Sequence, residues 1–510
     1  MKTMITGARL VLAATIGIAP QVLAAPPTRP GDVDVIIKGV SPQNLRATID
    51  KLVTFGTRHT LSSRDDPARG IGAAARWLRD EMASYAKASG RDDIVVELME
   101  HVQPASAGRR RGTGGGGDGA NDAASQPAAT QPERSGGGGG AGTPLTNVVM
   151  TIPGSMPESK DRRVIVLGHY DSRNGRGNDS QSDAPGANDD GSGTALTVEL
   201  ARIMAASKQR PECTVVFLLT AAEEQGLWGA QWYARTAVDN GWRIDAALSN
   251  DIVGDSYDRH GTPDRARIRL FSEGLPSSAL ADARAMPRIR QLGMESDSPS
   301  RQLARYVDDI ARRHDTAVKP WLIFRPDRFL RGGDHSAFNE HGFAAVRFTE
   351  VEENYDRQHQ NVTEKDGKPY GDVPAFVDEQ YLAGVAALNG AALWTLANAP
   401  AAPVNARLVT SGLGLETTIR WEANVEPDVA GYEVVWRETT SPTWDHVVDA
   451  GNVTTHTIDL SKDNYFFGVR AYDKDGHRSL VSFCGTGREN QGGAASRAAS
   501  TSTPASPTSP

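Results

Sequence analysis

Five short segments of this 510-residue chain concentrate side chains able to hold a metal ion or move a proton. They are Val166-Leu-Gly-His169-Tyr-Asp171, Pro185-Gly-Ala-Asn-Asp189-Asp190-Gly-Ser-Gly193, Thr220-Ala-Ala-Glu223-Glu224-Gln-Gly-Leu-Trp-Gly229, Ser249-Asn-Asp251 and Gly332-Gly-Asp-His335-Ser-Ala-Phe338. Taken singly, each has an ordinary explanation. A histidine at a strand end is more often a hydrogen-bonded structural residue than a ligand. Asp189 and Asp190 could simply favour a helix N-terminus, where the dipole stabilises negative charge. Jointly they need another reason. Two acidic pairs and a His-x-Asp gathered where strands stop would repel one another unless cations offset the charge. Two imidazoles with three carboxylates suit zinc better than Mg²⁺ or Ca²⁺, which prefer all-oxygen shells.

As an ordered set these segments resemble the co-catalytic di-zinc aminopeptidases of secreted bacterial type, relatives of glutamate carboxypeptidase-like peptidases and glutaminyl cyclases. The resemblance covers roughly residues 45–397, and its carriers are His-x-Asp, Pro-Gly-x-Asn-Asp-Asp-Gly-Ser-Gly, Glu-Glu-x-Gly-Leu-x-Gly and Gly-Asp-His. It implies two Zn²⁺ per chain, with Asp189 bridging them. His169 and Asp251 would complete one zinc, Glu224 and His335 the other. Asp171 would accept a hydrogen bond from the His169 ring and fix its tautomer. Glu223 would ligate nothing and act as general base on a water held between the zincs. Side chains diverge at a strand end, so adjacent glutamates can divide these tasks.

Weaker signals follow the fifth segment. Glu350-Val-Glu-Glu-Asn-Tyr355 offers Tyr355, which the resemblance suggests for stabilising an oxyanion and which reads equally as a pocket wall. His359 is a lesser candidate, because Gln-Asn-Val follows it where the family pattern has His-Thr-x-x-Asp. His59, His101, His260 and His314 show no ligand spacing. An aminopeptidase needs acids for the substrate amine, and Glu352 or Glu353 could serve; a carboxypeptidase needs an arginine, and Arg325, Arg328 and Arg331 precede His335. A glutaminyl cyclase on the same architecture and a non-catalytic binding protein are the other readings, the first set apart by zinc count, the second by lack of hydrolysis.

The elements that would position these residues alternate. Apolar strands are expected at 94–102, 147–152, 164–167, 214–219, 246–252, 321–324 and 344–348. Helical spacing marks 45–55, 70–86, 194–206, 227–238, 299–313 and 378–397. Continuously apolar strands between helices predict an α/β domain with a mostly parallel sheet covered on both faces, and ligand sites at the carboxyl ends of its strands. A Gly/Ala/Ser-rich stretch at about 105–143 lacks a phosphate-loop ending and reads as a disordered insertion at a hairpin tip. The character changes at Pro400-Ala-Ala-Pro403. Short alternating strands over 400–489, with Trp421 and the Tyr465–Tyr472 strand, resemble a fibronectin type III-like sandwich. Residues 490–510 are Ser/Thr/Pro-rich and read as a disordered tail.

The formal net charge is −8, with no long basic block, which argues against a nucleic-acid partner. Lys2 and Arg9, a short apolar core at 10–19 and Val22-Leu23-Ala24 read as a signal peptide over 1–24, leaving the peptidase domain at 25–399. The product would be exported, periplasmic or secreted, with no integral membrane span after signal removal. Its substrate would be a peptide or protein, and the sandwich domain could contact a surface or another protein. Cys213 and Cys484 have no metal-site spacing, and a bridge between them is not favoured.

Overall fold

The computed structural model of the chain describes residues 30–105, 142–329, 331–411 and 414–486. The expected signal peptide, nearly all of the glycine-rich stretch and the C-terminal tail lie outside the described residues.

Eight strands build the main sheet: β1 (Val95–Gln103), β2 (Thr143–Ile152), β3 (Arg162–His169), β4 (Thr214–Thr220), β5 (Arg243–Asn250), β6 (Arg267–Phe271), β7 (Lys319–Ile323) and β8 (Ala345–Thr349). Their spatial order is β1-β2-β4-β3-β5-β8-β6-β7. The central four, β4, β3, β5 and β8, run parallel. Antiparallel pairings flank them, β1 with β2 and β2 with β4 on one side, β6 with β8 on the other. Strands β1 and β2 pair out to Gln103 and Thr143, so the glycine-rich stretch joins the ends of a hairpin.

The central strands are largely apolar because both faces are covered. Val164, Val166, Phe217 and Leu219 pack with helices Ile71–Ser89, Gly191–Ala206 and Glu379–Ala397 in one core. Their neighbours Ile165, Leu167, Val216 and Leu218 point the other way, against Tyr233 of helix Trp228–Asp239 and Phe338 of helix His335–Glu340. Each large side chain so buried contributes about 1.5–3 kcal/mol. Strand β6, Arg-Ile-Arg-Leu-Phe, has no counterpart in the sequence expectations, since its alternating arginines hide the apolar face.

Beyond Pro400 two further four-stranded sheets follow, mostly antiparallel. One orders Thr455–Ile458, Thr417–Arg420, Arg407–Leu408 and Gly485–Thr486; the other orders His446–Gly451, Val429–Glu438, Tyr465–Asp473 and Ser482–Phe483. Trp421, Tyr432, Val434, Phe467 and Val469 form the core between them. Buried ion pairs join this part to the α/β part. Arg162 meets Asp245 at 2.6 Å and Glu426 at 3.3 Å. Asp297 lies 2.9 Å from Arg305 and 2.8 Å from Arg437. Cys213 and Cys484 are both free and buried. Among the described residues no helix is long and apolar enough to cross a membrane.

Candidate metal centre

The residues the sequence singles out converge at the carboxyl ends of the parallel strands. His169 ends β3, Glu223 and Glu224 follow β4, and Asp251 follows β5. Asp189 sits in the loop entering helix Gly191–Ala206, whose N-cap is Asp190. That helix packs closely on the strand ends. A Cβ at Gly193 would overlap the Asn250 carbonyl oxygen, which explains the Gly-Ser-Gly run.

Two groups of donor atoms form there, each within 4.8 Å: His169 with Glu223 and Asp251, and Asp189 with Glu224 and His359. Asp189 reaches both. Its Oδ1 lies 3.3 Å from His169 Nε2, and its Oδ2 lies 2.9 Å from His359 Nε2. His359 Nε2 is also 3.0 Å from each Glu224 carboxylate oxygen. Asp251 Oδ1 and Glu223 Oε2 stand 3.8 and 4.0 Å from His169 Nε2.

Other hydrogen bonds fix these side chains. His169 Nδ1 is hydrogen-bonded to the Asp171 carbonyl oxygen at 3.3 Å and lies 3.5 Å from its Oδ1, and the Asp171 carboxylate accepts from the Glu223 and Glu224 N–H groups at 3.2 and 3.3 Å. One aspartate thus orients a histidine and the loop carrying both glutamates. Asp190 accepts from His169 N–H (3.0 Å) and Ile252 N–H (3.3 Å), tying three segments together. Asp372 accepts from Asn188 and Asp189 N–H at 2.8 and 2.7 Å, and Gln358 donates to Asp189 Oδ2 at 3.0 Å. Buried Arg58 donates to the carbonyls of Tyr170 (2.6 Å) and Gly186 (2.8 Å). Three non-glycine residues adopt left-handed backbone at the centre: Ala222 (φ 61°) before Glu223, Ile252 (φ 60°) after Asp251, and His359 itself (φ 54°). Such conformations persist where surrounding structure imposes them, as at functional sites.

The charges interact strongly. Burial opposes protonation of His359, yet the Glu224 and Asp189 carboxylates raise it to about 10. Burial likewise opposes protonation of His169, and Glu223, Asp171 and Asp189 override it, holding the ring well above its ordinary value. Burial raises Glu223 well above the usual carboxylate range, with Asp251 and Glu224 adding to it against His169. Asp189 is held well below that range, burial notwithstanding, by His359 and His169. So many carboxylates gathered in one buried place call for positive charge, which a cation would supply.

The residues fit such a cation. His169 Nε2 is buried with no hydrogen-bond partner and faces carboxylate oxygens from three segments. The donors brought together are imidazole nitrogens and carboxylate oxygens, the set that zinc accepts.

His335 is a correction. It is buried where it opens helix His335–Glu340, but its Nε2 lies 2.8 Å from the Pro326 carbonyl and 3.8 Å from Asp327, outside both donor groups. Its neighbour Asp334 is the residue that turns towards the strand ends, meeting the Thr220 hydroxyl. His359 stands where His335 was expected, because the loop after β8 folds back over Asp189. Tyr355 also lies outside both groups. Its side chain is 62% exposed, and its hydroxyl is 3.5 Å from Arg331. Glu353 is buried among Arg269, Arg328 and Arg331, at 2.7–2.9 Å, and Glu352 pairs with Arg259. Asp372, Gln358, Arg58 and Arg347 escape sequence reasoning, since isolated polar residues carry no spacing signal.

Comparison with known proteins identifies the chain's family. The sequence model of peptidase family M28 matches residues 147–372, a span holding all the donors above. A probable zinc metalloprotease of Leptosphaeria maculans is 41% identical over 441 residues, covering 86% of this chain and 94% of that protein. One of Pyrenophora tritici-repentis is 40% identical over 455 residues, covering 89% and 87%. Both are fungal, whereas the motifs resemble a bacterial type. Among solved structures, LapA of Legionella pneumophila aligns with a TM-score of 0.49 at 18% identity, over 74% of this chain and 79% of that one. With kinship at this level running along nearly the whole of its fungal relatives, the chain belongs to peptidase family M28.

Proposed function

We propose that this chain is an exported di-zinc exopeptidase that removes N-terminal amino acids from peptides. The observation that carries the reading is the placement of Asp189, whose two oxygens face two different histidine–carboxylate groups. A carboxylate so placed can bridge a pair of cations. His169, Asp251 and Asp189 would hold one zinc; Glu224, His359 and Asp189 would hold the other. When bound, the ions would supply Lewis acidity to the scissile carbonyl and to the attacking water.

The chain's own groups do the rest. Glu223 stands beside the His169 group, its backbone pinned by Asp171 and its carboxyl raised above the usual carboxylate range by burial and the neighbouring Asp251 and Glu224, which favours holding a proton in transit. It would take the proton from the attacking water and return it to the leaving amine. Asp171 holds His169 in one orientation, and the buried setting of both limits competition from solvent. Removal of N-terminal residues rests on the motif resemblance, because Glu352 and Glu353 are already engaged by arginines. Export rests instead on the signal-peptide pattern of residues 1–24, and the fibronectin type III-like character on the alternating strands over 400–489.

The test is hydrolysis of aminoacyl chromogenic substrates against N-blocked peptides, before and after chelation. The expected outcome is cleavage of free-amine substrates, lost with the chelator and restored by zinc. Cleavage of blocked substrates alone would replace the aminopeptidase assignment with a carboxypeptidase. Pyroglutamate formation with one zinc per chain would replace it with a cyclase.

A further inference from the structure

Arg347 lies within β8 and is fully buried. Strand β8 pairs in parallel with β5, Ser249 opposite Arg347 and Asn250 opposite Phe348. That register brings the guanidinium beside the carboxylate that follows β5. One terminal nitrogen lies 2.9 Å from Asp251 Oδ2, a charge–charge contact without hydrogen-bond geometry. The other lies 3.0 Å from Asp327 Oδ2 and donates to the Gly332 carbonyl at 2.9 Å. The oxygen of Asp251 nearest the donor group is then Oδ1, 3.8 Å from His169 Nε2.

A guanidinium away from water persists where anions answer it, and a planar fork can hold two at fixed separation where an ammonium acts as a single point charge. Asp327 is itself held. Its Oδ1 accepts from the Arg328 N–H at 2.6 Å, and the His335 ring meets the preceding Pro326 carbonyl. His335 therefore supports this arm of the centre from behind.

We propose that Arg347 is a positioning residue for the metal centre: it holds Asp251 Oδ2 and presents Oδ1 to the cation shared with His169, while Asp327 fixes the guanidinium. The proposal rests on the di-zinc reading and adds a residue that acts through Asp251. Partners of this kind that orient a ligand commonly set metal affinity by about 10- to 100-fold.

The experiment is a titration of chelator-stripped protein with Co²⁺, followed by its absorption spectrum and by competition with a chelator. Wild type is compared with Arg347→Met, Arg347→Lys and Asp327→Asn, each checked for folding by thermal melt. Wild type is expected to take up two ions. Arg347→Met should weaken one of the two sites by about 10- to 100-fold with a changed spectrum for that ion, and leave the other site unaltered. Asp327→Asn should produce the same change to a smaller extent, and Arg347→Lys should restore part of the affinity. If Arg347→Met fails to fold, the other two variants decide. Folded variants that bind both ions with wild-type affinity and spectrum would overturn the role of Arg347 alone. A wild-type protein that binds no metal would overturn the di-zinc reading and this role together.

Discussion

Glu223→Gln is expected to lower kcat by about 10²- to 10⁴-fold while metal content stays at the wild-type level. The amide keeps the size of the carboxylate and its place beside His169, and the Glu223 N–H bond to Asp171 belongs to the backbone and survives. What disappears is the ability to accept a proton. Asp189, Glu224, Asp251, His169 and His359 retain every donor atom assigned to the ions. A loss confined to kcat, with KM near the wild-type value, would mark an interaction made only in the transition state. Elemental analysis of the purified variant alongside steady-state kinetics checks both halves. Metal loss in Glu223→Gln would instead make Glu223 a ligand, as its membership of the His169 group allows.

Asp189→Asn should have a broader effect, loss of both ions and of measurable turnover. Asparagine is nearly isosteric, and the Asp189 N–H bond to Asp372 is again backbone. The substitution replaces one ligand oxygen with an NH₂ group that cannot coordinate a cation. That group would also face either the Gln358 amide, which donates to Oδ2, or the His169 ring. Because each Asp189 oxygen serves a different donor group, one site loses that donor and the other keeps only an uncharged amide oxygen in place of a carboxylate, so both are weakened. Glu224→Ala, by comparison, should empty one site and leave the second. Metal per chain for the two variants, measured after identical dialysis, separates a bridging carboxylate from an ordinary one.

The legible parts of this molecule are those whose reasons are local. Strands β3 and β4 read as buried because their central runs, 164–167 and 215–219, are wholly apolar, and they are apolar because helices cover both faces. His169, the glutamate pair and Asp251 could be placed on one edge because each directly follows such a strand. Helix Pro299–Arg313 is legible from its helical spacing, and Ser298 caps it while Pro299 opens it. Strand β6 was hidden by Arg267 and Arg269, whose guanidinium groups lie over the Trp321 and Phe271 rings while their charges read as surface. The fifth donor was not legible either. His335 sits in a familiar Gly-Asp-His but faces Pro326, and His359 reaches Asp189 through a loop whose return path no local pattern encodes. Arg347 reads as a polar interruption of an apolar strand; only the β5–β8 register reveals its carboxylate partners.

Metal stoichiometry of the wild type, His359→Ala and His335→Ala tests the central claim most directly. The geometry predicts two zinc ions per chain in the wild type, one in His359→Ala, and two in His335→Ala, whose weakened support of Asp327 affects affinity rather than count. Two ions retained by His359→Ala and one lost from His335→Ala would contradict it, and would return the second site to the histidine that the sequence favours.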